Sequence, residues 1–304
     1  MAFALGGDSR LARNVEGAAW MALAMFGVAC NDALMKLVLP DIDMFQAILL
    51  RSSVAALIVA WVLKRRGQLK PPPGRDLPWL AIRSVAEIGA TIFYLNAVMR
   101  LRLAEVSAVN QSLPLLLTLA GVLFFGEKVG WRRWAAVIAG FVGVMLVVRP
   151  QGDGFNPDSL YAVGGMVCFG IREIATRRTD PATPGLLITC LTLTTVGVTG
   201  AVGSLVSPWQ PMELWHLAAI ALAAGAIFMA YHCGVTAVRM AEINFTAPFR
   251  YTVIVWSIVL GALIFGEMPD AVTLLGAAMI VGAGLYAFWR ERLAGKAAET
   301  AGEP

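Results

Sequence analysis

The sequence predicts an all-α integral membrane protein of ten transmembrane helices in two inverted five-helix repeats. Three observations lead there. Hydrophobic residues make up 58% of the 304 and charged residues only 14%, against about 45–50% and roughly 25% in soluble proteins. Ten apolar runs have the length of a membrane span. The two halves of the chain also share a pattern at constant offset. With a mean hydropathy of +0.71, the chain cannot cover itself with a wetted polar surface. A soluble globule, a disordered chain and a disulfide scaffold are excluded.

A span needs about 17–25 mostly apolar residues. The runs that qualify are 17–38, 44–63, 77–98, 103–125, 131–149, 158–176, 184–206, 214–238, 242–265 and 270–289. The sixth is the weakest, because Arg172-Glu173 interrupts it early; the fifth and tenth have charge-free middles. The longest loop, 64–76, carries Pro71-Pro72-Pro73 and is too short for a domain. The chain is therefore one membrane domain, 1–150 forming the first repeat and 151–304 the second, and its work is expected inside the lipid bilayer. The stretch 1–16 has no h-region or cleavage site, so no removable signal peptide is expected.

Orientation follows from Lys and Arg in short loops. With both termini cytoplasmic, 16 basic residues fall in inside segments and three, Arg100, Arg102 and Arg149, outside. The expected location is the inner (plasma) membrane, crossed many times. The net charge of +4 then speaks to topology, and nucleic acid is not expected as a partner. Cys30, Cys168, Cys190 and Cys233 lie in apolar runs and read as small core residues. His216 and His232 are too isolated for a metal site. No cofactor is implied.

The repeat shows best between 94–105 (YLNAVMRLRLAE) and 231–242 (YHCGVTAVRMAE). At an offset of 137, Tyr94/Tyr231, Val98/Val235, Arg102/Arg239, Ala104/Ala241 and Glu105/Glu242 are identical. Phe125-Gly126-Glu127 returns as Phe265-Gly266-Glu267, and Phe26-Gly27 as Phe169-Gly170. Five spans per copy is an odd number, so the second copy enters from the opposite side. That is the inverted repeat of secondary transporters, with the site near the midplane.

Ionisable and polar groups at membrane depth are the site candidates. On the first span, Asn31, Asp32 and Lys36 form a polar patch, able to meet a substrate's ammonium or carboxylate. The alternative is an internal Asp32–Lys36 pair with Lys36 snorkelling outward. On the third span, Arg83, Glu87 and Tyr94 share a stripe, with small Ala90 and Thr91 leaving room for a solute. Alternatively, Arg83 merely pairs with Glu87. Glu87, about 15 Å along the helix from Leu77, is a candidate proton carrier. Tyr231 and His232 occupy the matching place in the eighth span, where His232 is either a site residue or a core imidazole. Pro114 and Pro248 interrupt spans four and nine beside Asn110 and Gln111, and beside Arg250 and Tyr251. A proline removes a backbone donor and kinks a helix, giving a gate, a binding wall or a static bend. Arg51 is placed to bind a carboxylate, helix carbonyls or Asp32. Arg172-Glu173 reads as an interfacial pair, and the threonines from Thr189 to Thr199 as bonding their own helix or a neighbour.

Ten spans, the five-plus-five repeat, Leu50-Arg51 in the second span and the Ala-Glu…Phe-Gly-Glu pattern of spans four and nine resemble the drug/metabolite transporter superfamily, EamA type. The resemblance covers about 17–289. Taken whole, the sequence also resembles the aromatic amino acid exporter branch, although no motif isolates that branch. The resemblance implies an alternating-access carrier of small organic solutes, with a central cavity between the repeats and peripheral fifth and tenth spans. A small-molecule substrate, amino acids, similar metabolites or drugs, is expected to be exported; protons as coupling partner stay open. The alternatives are an intramembrane enzyme and a channel. HExxH, GxSxG and GxGD motifs are missing from the sequence, which disfavours the enzyme. A channel is normally built from symmetric subunits, unlike a repeat within one chain.

Overall fold

A computed structural model describes residues 4–67, 72–125, 130–149, 156–180, 183–241 and 243–301. Among these there is helix and connection and no strand. The helices are α1 (Ala4–Val38), α2 (Met44–Arg65), α3 (Leu77–Arg100), α4 (Leu103–Asn110), α5 (Leu113–Phe125), α6 (Trp131–Val148), α7 (Ser159–Arg177), α8 (Gly185–Gly203), α9 (Leu214–Met240), α10 (Ile243–Thr246), α11 (Thr252–Phe265) and α12 (Ala271–Ala301). Every apolar run read from the sequence carries helix. Six stretches are long and apolar enough to cross a membrane, and 134–148 and 187–203 are shorter apolar helices. Outside that set stand α3 and α7, which carry Arg83 and Glu87, and Arg172 and Glu173.

Local chemistry explains the starts and breaks. Asp43 caps α2 by accepting from Phe45 N at 2.9 Å and Gln46 N at 3.4 Å, which satisfies amides that have no partner in the helix. Pro78 sits in the first turn of α3, where a missing N–H costs nothing. The fourth run is split rather than continuous. Pro114 disfavours helix at the residue before it and opposes the carbonyl four back, so α4 stops at Asn110 and α5 restarts at Leu113. At the break, the carbonyl of Val109 accepts from Ser112 twice, from its amide at 3.1 Å and its hydroxyl at 2.6 Å. Pro248 acts likewise in the ninth run, where residues Ala247–Tyr251 wind as 3₁₀ helix between α10 and α11. The terminal helices overrun the expected spans: α1 begins at Ala4 and takes in all of 4–16, and α12 continues to Ala301, because good helix formers such as Ala, Leu and Arg extend a helix already nucleated.

The chain divides into two compact units, each drawing on both halves of the sequence. The first comprises 1–29, 102–156 and 229–304. In it α6 packs along α12 and α4 along α11. Gly143 and Gly276 meet reciprocally: a Cβ on Gly143 would lie 2.8 Å from the carbonyl oxygen of Gly276, and one on Gly276 2.7 Å from that of Gly143. Two backbones touch there, which only glycine allows. Ser107 and Ser257 share a hydrogen bond of 2.6 Å between α4 and α11. Phe26 meets Trp256 edge-on at 5.0 Å, and the indole donates to the carbonyl of Ala22 at 3.3 Å. Asp270 caps α12 by accepting from Thr273 N at 2.9 Å, and pairs with Arg149 and, at 3.6 Å, with Arg102.

The second unit comprises 30–101 and 157–228. Here α3 packs along α7 and α2 along α8. Its core gathers Met35, Val38, Leu39, Ile42, Ile48, Leu95, Val196 and Ile220. At one end, buried Asp76 accepts from Thr183 Oγ1 at 2.7 Å and Asp180 N at 3.3 Å, and Arg75 pairs with Asp180. These contacts tie the start of α3 to the α7–α8 connection.

Candidate functional site

The second unit holds a chain of polar groups on α1, α2, α3 and α7. Asn31 and Asp32 are 5% and 6% exposed, although neither side chain is apolar. A buried carboxylate is costly unless its oxygens are hydrogen-bonded. Both oxygens of Asp32 are: Asn31 Nδ2 donates to Oδ1 at 3.0 Å and the Tyr94 phenol donates to Oδ2 at 2.6 Å. Arg51 of α2 donates to Asn31 Oδ1 at 3.2 Å, and its charge acts on Asp32. Lys36, also buried, donates to the carbonyl of Leu101, the extended residue that follows α3.

The stripe on α3 meets α7. Glu87 is paired with Arg172, whose Nη1 lies 3.2 Å from Oε2 and 3.5 Å from Oε1. The Arg172 guanidinium lies over the Phe169 ring at 4.7 Å, and that ring meets Tyr94 edge-on at 5.6 Å. One continuous path thus runs from Glu87 through Arg172, Phe169 and Tyr94 to Asp32. Arg83 donates from Nε to Thr176 Oγ1 at 2.9 Å and from Nη1 to Thr192 Oγ1. Two readings of the sequence change. The pairing considered between Arg83 and Glu87 is replaced by Glu87–Arg172, because α7 brings a guanidinium across to α3. Glu173, expected to pair with Arg172, instead faces Arg177 at 3.8 Å.

The space expected at Ala90 is also filled. Ala90 is fully buried, and small residues serve close helix contact. A Cβ on Gly165 would lie 3.3 Å from Tyr94 N, so α7 approaches the α3 backbone at the level of the phenol. On α8, Thr189, Thr192, Thr195 and Thr199 each bond a carbonyl four residues back in their own helix.

In the first unit, Gln111 and Arg250 come together: Gln111 Nε2 donates to the Arg250 carbonyl at 2.8 Å, joining the two proline breaks. Asn110 Oδ1 is buried and has no hydrogen-bond partner among the described residues. The Tyr251 hydroxyl packs against Gly284 of α12. His232 is exposed, and its carbonyl accepts from Thr236. The Tyr231 side chain lies outside the described residues, as do Glu242 and Gly126-Glu127 of the repeat pattern.

Sequence reasoning passed over Phe169 and gave Arg172 another partner. A signal existed. Gly165, Phe169, Arg172 and Thr176 recur at helical spacing, making on α7 a stripe that mirrors Arg83, Glu87 and Tyr94 on α3.

The arrangement can present both signs of charge beside two aromatic rings. Similar proteins fit such a role. Residues 15–149 match the EamA-like transporter family. The S-adenosylmethionine uptake transporter of Rickettsia bellii is 24% identical over 284 residues, covering 91% of this chain and 95% of its own. The riboflavin transporter of Rhizobium johnstonii is 28% identical over 90% of this chain and 91% of its own. The pseudopaline exporter of Pseudomonas aeruginosa is 24% identical over 85% and 91%. A solved crystal structure aligns with a TM-score of 0.60 at 20% identity, covering 93% of this chain and 98% of its own, which shows a shared fold. With residues 15–149 matching the EamA-like transporter family and near full-length likeness to transporters, the chain is similar to EamA-like transporters and is a multi-pass membrane protein.

Proposed function

We propose that the protein is a secondary carrier working by alternating access between two inverted repeats, 1–150 and 151–304. Its cargo is a small organic solute of mixed charge and partly apolar character. Amino acids, aromatic ones included, are the class preferred, exported across the inner membrane. The observation that carries this reading is the Asp32–Tyr94 hydrogen bond of 2.6 Å within a buried polar cluster. Burying a carboxylate inside a helical membrane protein is expensive, and such groups mark substrate and ion pathways.

The pairing of helices supports the repeat. The runs containing α2, α4 and α6 are the second, fourth and fifth of the first half. Each packs on its counterpart in the second half, α8, α11 and α12. Reciprocal contact at Gly143 and Gly276 is what a two-fold relation gives, since residue i then meets j as j meets i. The substrate-binding residues proposed are Asn31, Asp32, Lys36, Glu87 and Tyr94 of the second unit and, separately, Asn110, Gln111, Tyr231, His232, Arg250 and Tyr251 of the first. Protons are the proposed coupling ion. The relatives' names include both uptake and export, and a carrier's direction is set by its gradients.

A thermal-shift screen of the purified protein against the twenty amino acids tests the substrate class. The expected outcome is a concentration-dependent rise in Tm for a subset that includes phenylalanine or leucine. A flat response to all twenty would remove amino acids as the cargo.

A further inference from the structure

Glu87 and Arg172 face each other from α3 and α7 at 3.2 Å, with side chains 12% and 26% exposed. The Phe169 ring lies beneath the guanidinium and the Tyr94 ring touches Phe169. Arg83, nearest to Glu87 in sequence, is engaged by Thr176 and Thr192. Glu87 therefore takes its counter-charge from a different helix, across the packed α3–α7 contact.

The cost of opening it depends on what enters. Removing one partner from a buried pair leaves the other charge uncompensated, which is strongly unfavourable. A solute with only an ammonium group satisfies Glu87 and strands Arg172. A solute with only a carboxylate does the reverse. A zwitterion satisfies both, adds no net charge, and can lay its apolar part against the rings of Phe169 and Tyr94. Discrimination of this kind arises because unmatched groups are penalised, not only because matched ones attract.

We propose that the Glu87–Arg172 pair is the selectivity element of the carrier: it opens to take the ammonium of a zwitterionic solute on Glu87 and its carboxylate on Arg172, and rejects singly charged analogues. This rests on the carrier reading above and deepens it, assigning a site to Arg172 and Phe169 and a chemical class to the cargo.

The test uses the full chain in proteoliposomes. Counterflow of phenylalanine and leucine is compared with that of their amides, which keep only the ammonium, and of 3-phenylpropionate and 4-methylpentanoate, which keep only the carboxylate. The wild type should favour each zwitterion at least tenfold over both analogues. Arg172→Gln should cut the preference over the amide by tenfold or more and leave the preference over the acid. Glu87→Gln should do the opposite. This reciprocal switch is a readout that a merely structural ion pair would not give. Equal loss for all three compounds in both variants, or a wild type that carries amide or acid as well as zwitterion, would overturn the proposal and leave the carrier reading standing. A wild type with no saturable flux of any of these compounds would overturn both. If the variants fail to fold, thermal shifts of the wild type decide: a rise with the zwitterions alone is expected, and an equal rise with the amides or acids contradicts it.

Discussion

The phenol of Tyr94 donates to Oδ2 of Asp32 at 2.6 Å, joining α3 to α1 through two residues 62 apart in sequence. With Asn31 on the other oxygen, this bond gives both oxygens of a buried carboxylate a donor.

Tyr94→Phe should therefore do more than remove a hydroxyl. It keeps the ring against Phe169 but leaves Asp32 one donor short. A hydrogen bond to a charged group contributes about 1.5–3 kcal/mol, so Tm in detergent should fall by several degrees and transport at least tenfold. Measuring both separates the effects: a normal Tm with lost transport would mean that the bond forms only in the transport cycle.

The ion pair between α3 and α7 predicts a rescue. Glu87→Arg and Arg172→Glu should each destabilise the protein, since each sets like charges face to face. The double variant restores opposite charges at the same two places and should recover at least half of the lost Tm. If the double variant is as unstable as the sum of the two, the pair contributes through its surroundings and not through its charges.

Asp270, the residue before α12 and before its apolar stretch from Ala271, predicts a pH dependence. The amide of Thr273 and then the charge of Arg149 hold its carboxyl below the usual carboxylate range. A folded-state value below the unfolded one means the contribution is present above about pH 4 and is lost as pH falls through the folded-state value. Asp270→Asn keeps a capping side chain and loses only the charge, for which about 0.3–1 kcal/mol is typical at a helix N-terminus. Its Tm should lie below wild type at pH 7, with the gap closing toward pH 3. A gap that is constant with pH would contradict the assignment.

The close approach of α6 and α12 is checked by adding a methyl group. At both Gly143 and Gly276 a Cβ would collide with the facing backbone carbonyl, and backbone cannot move aside as a flexible side chain can. Overpacking costs about 1–3 kcal/mol. Gly143→Ala and Gly276→Ala should each lower Tm measurably, whereas Gly282→Ala on the same helix, with open space around it, should not.

Apolar periodicity made the helices legible, and the prolines made the breaks foreseeable as kinks, though not as complete interruptions. What periodicity could not supply was partner choice across helices. Glu87 and Arg83 are four apart on one helix, and that spacing suggested their pairing. The contact of α3 with α7 decided otherwise, because Arg172 reaches Glu87 while Thr176 and Thr192 take Arg83. Similarly, Tyr94 and Asp32 were each singled out as polar residues at depth, but nothing local to either sequence segment said that they meet. Lys36 shows the same limit: its spacing suggested Asp32, and nothing local said that it would donate to the carbonyl of Leu101, just past α3.

The most direct measurement is counterflow. Proteoliposomes containing the wild type and loaded with unlabelled phenylalanine or leucine should accumulate the labelled compound transiently above equilibrium, with a rate that saturates. Asp32→Asn should abolish the overshoot while the protein still reconstitutes. Flux that rises linearly with concentration and shows no overshoot in the wild type, or an overshoot unchanged in Asp32→Asn, would contradict a carrier built around the Asp32–Tyr94 cluster.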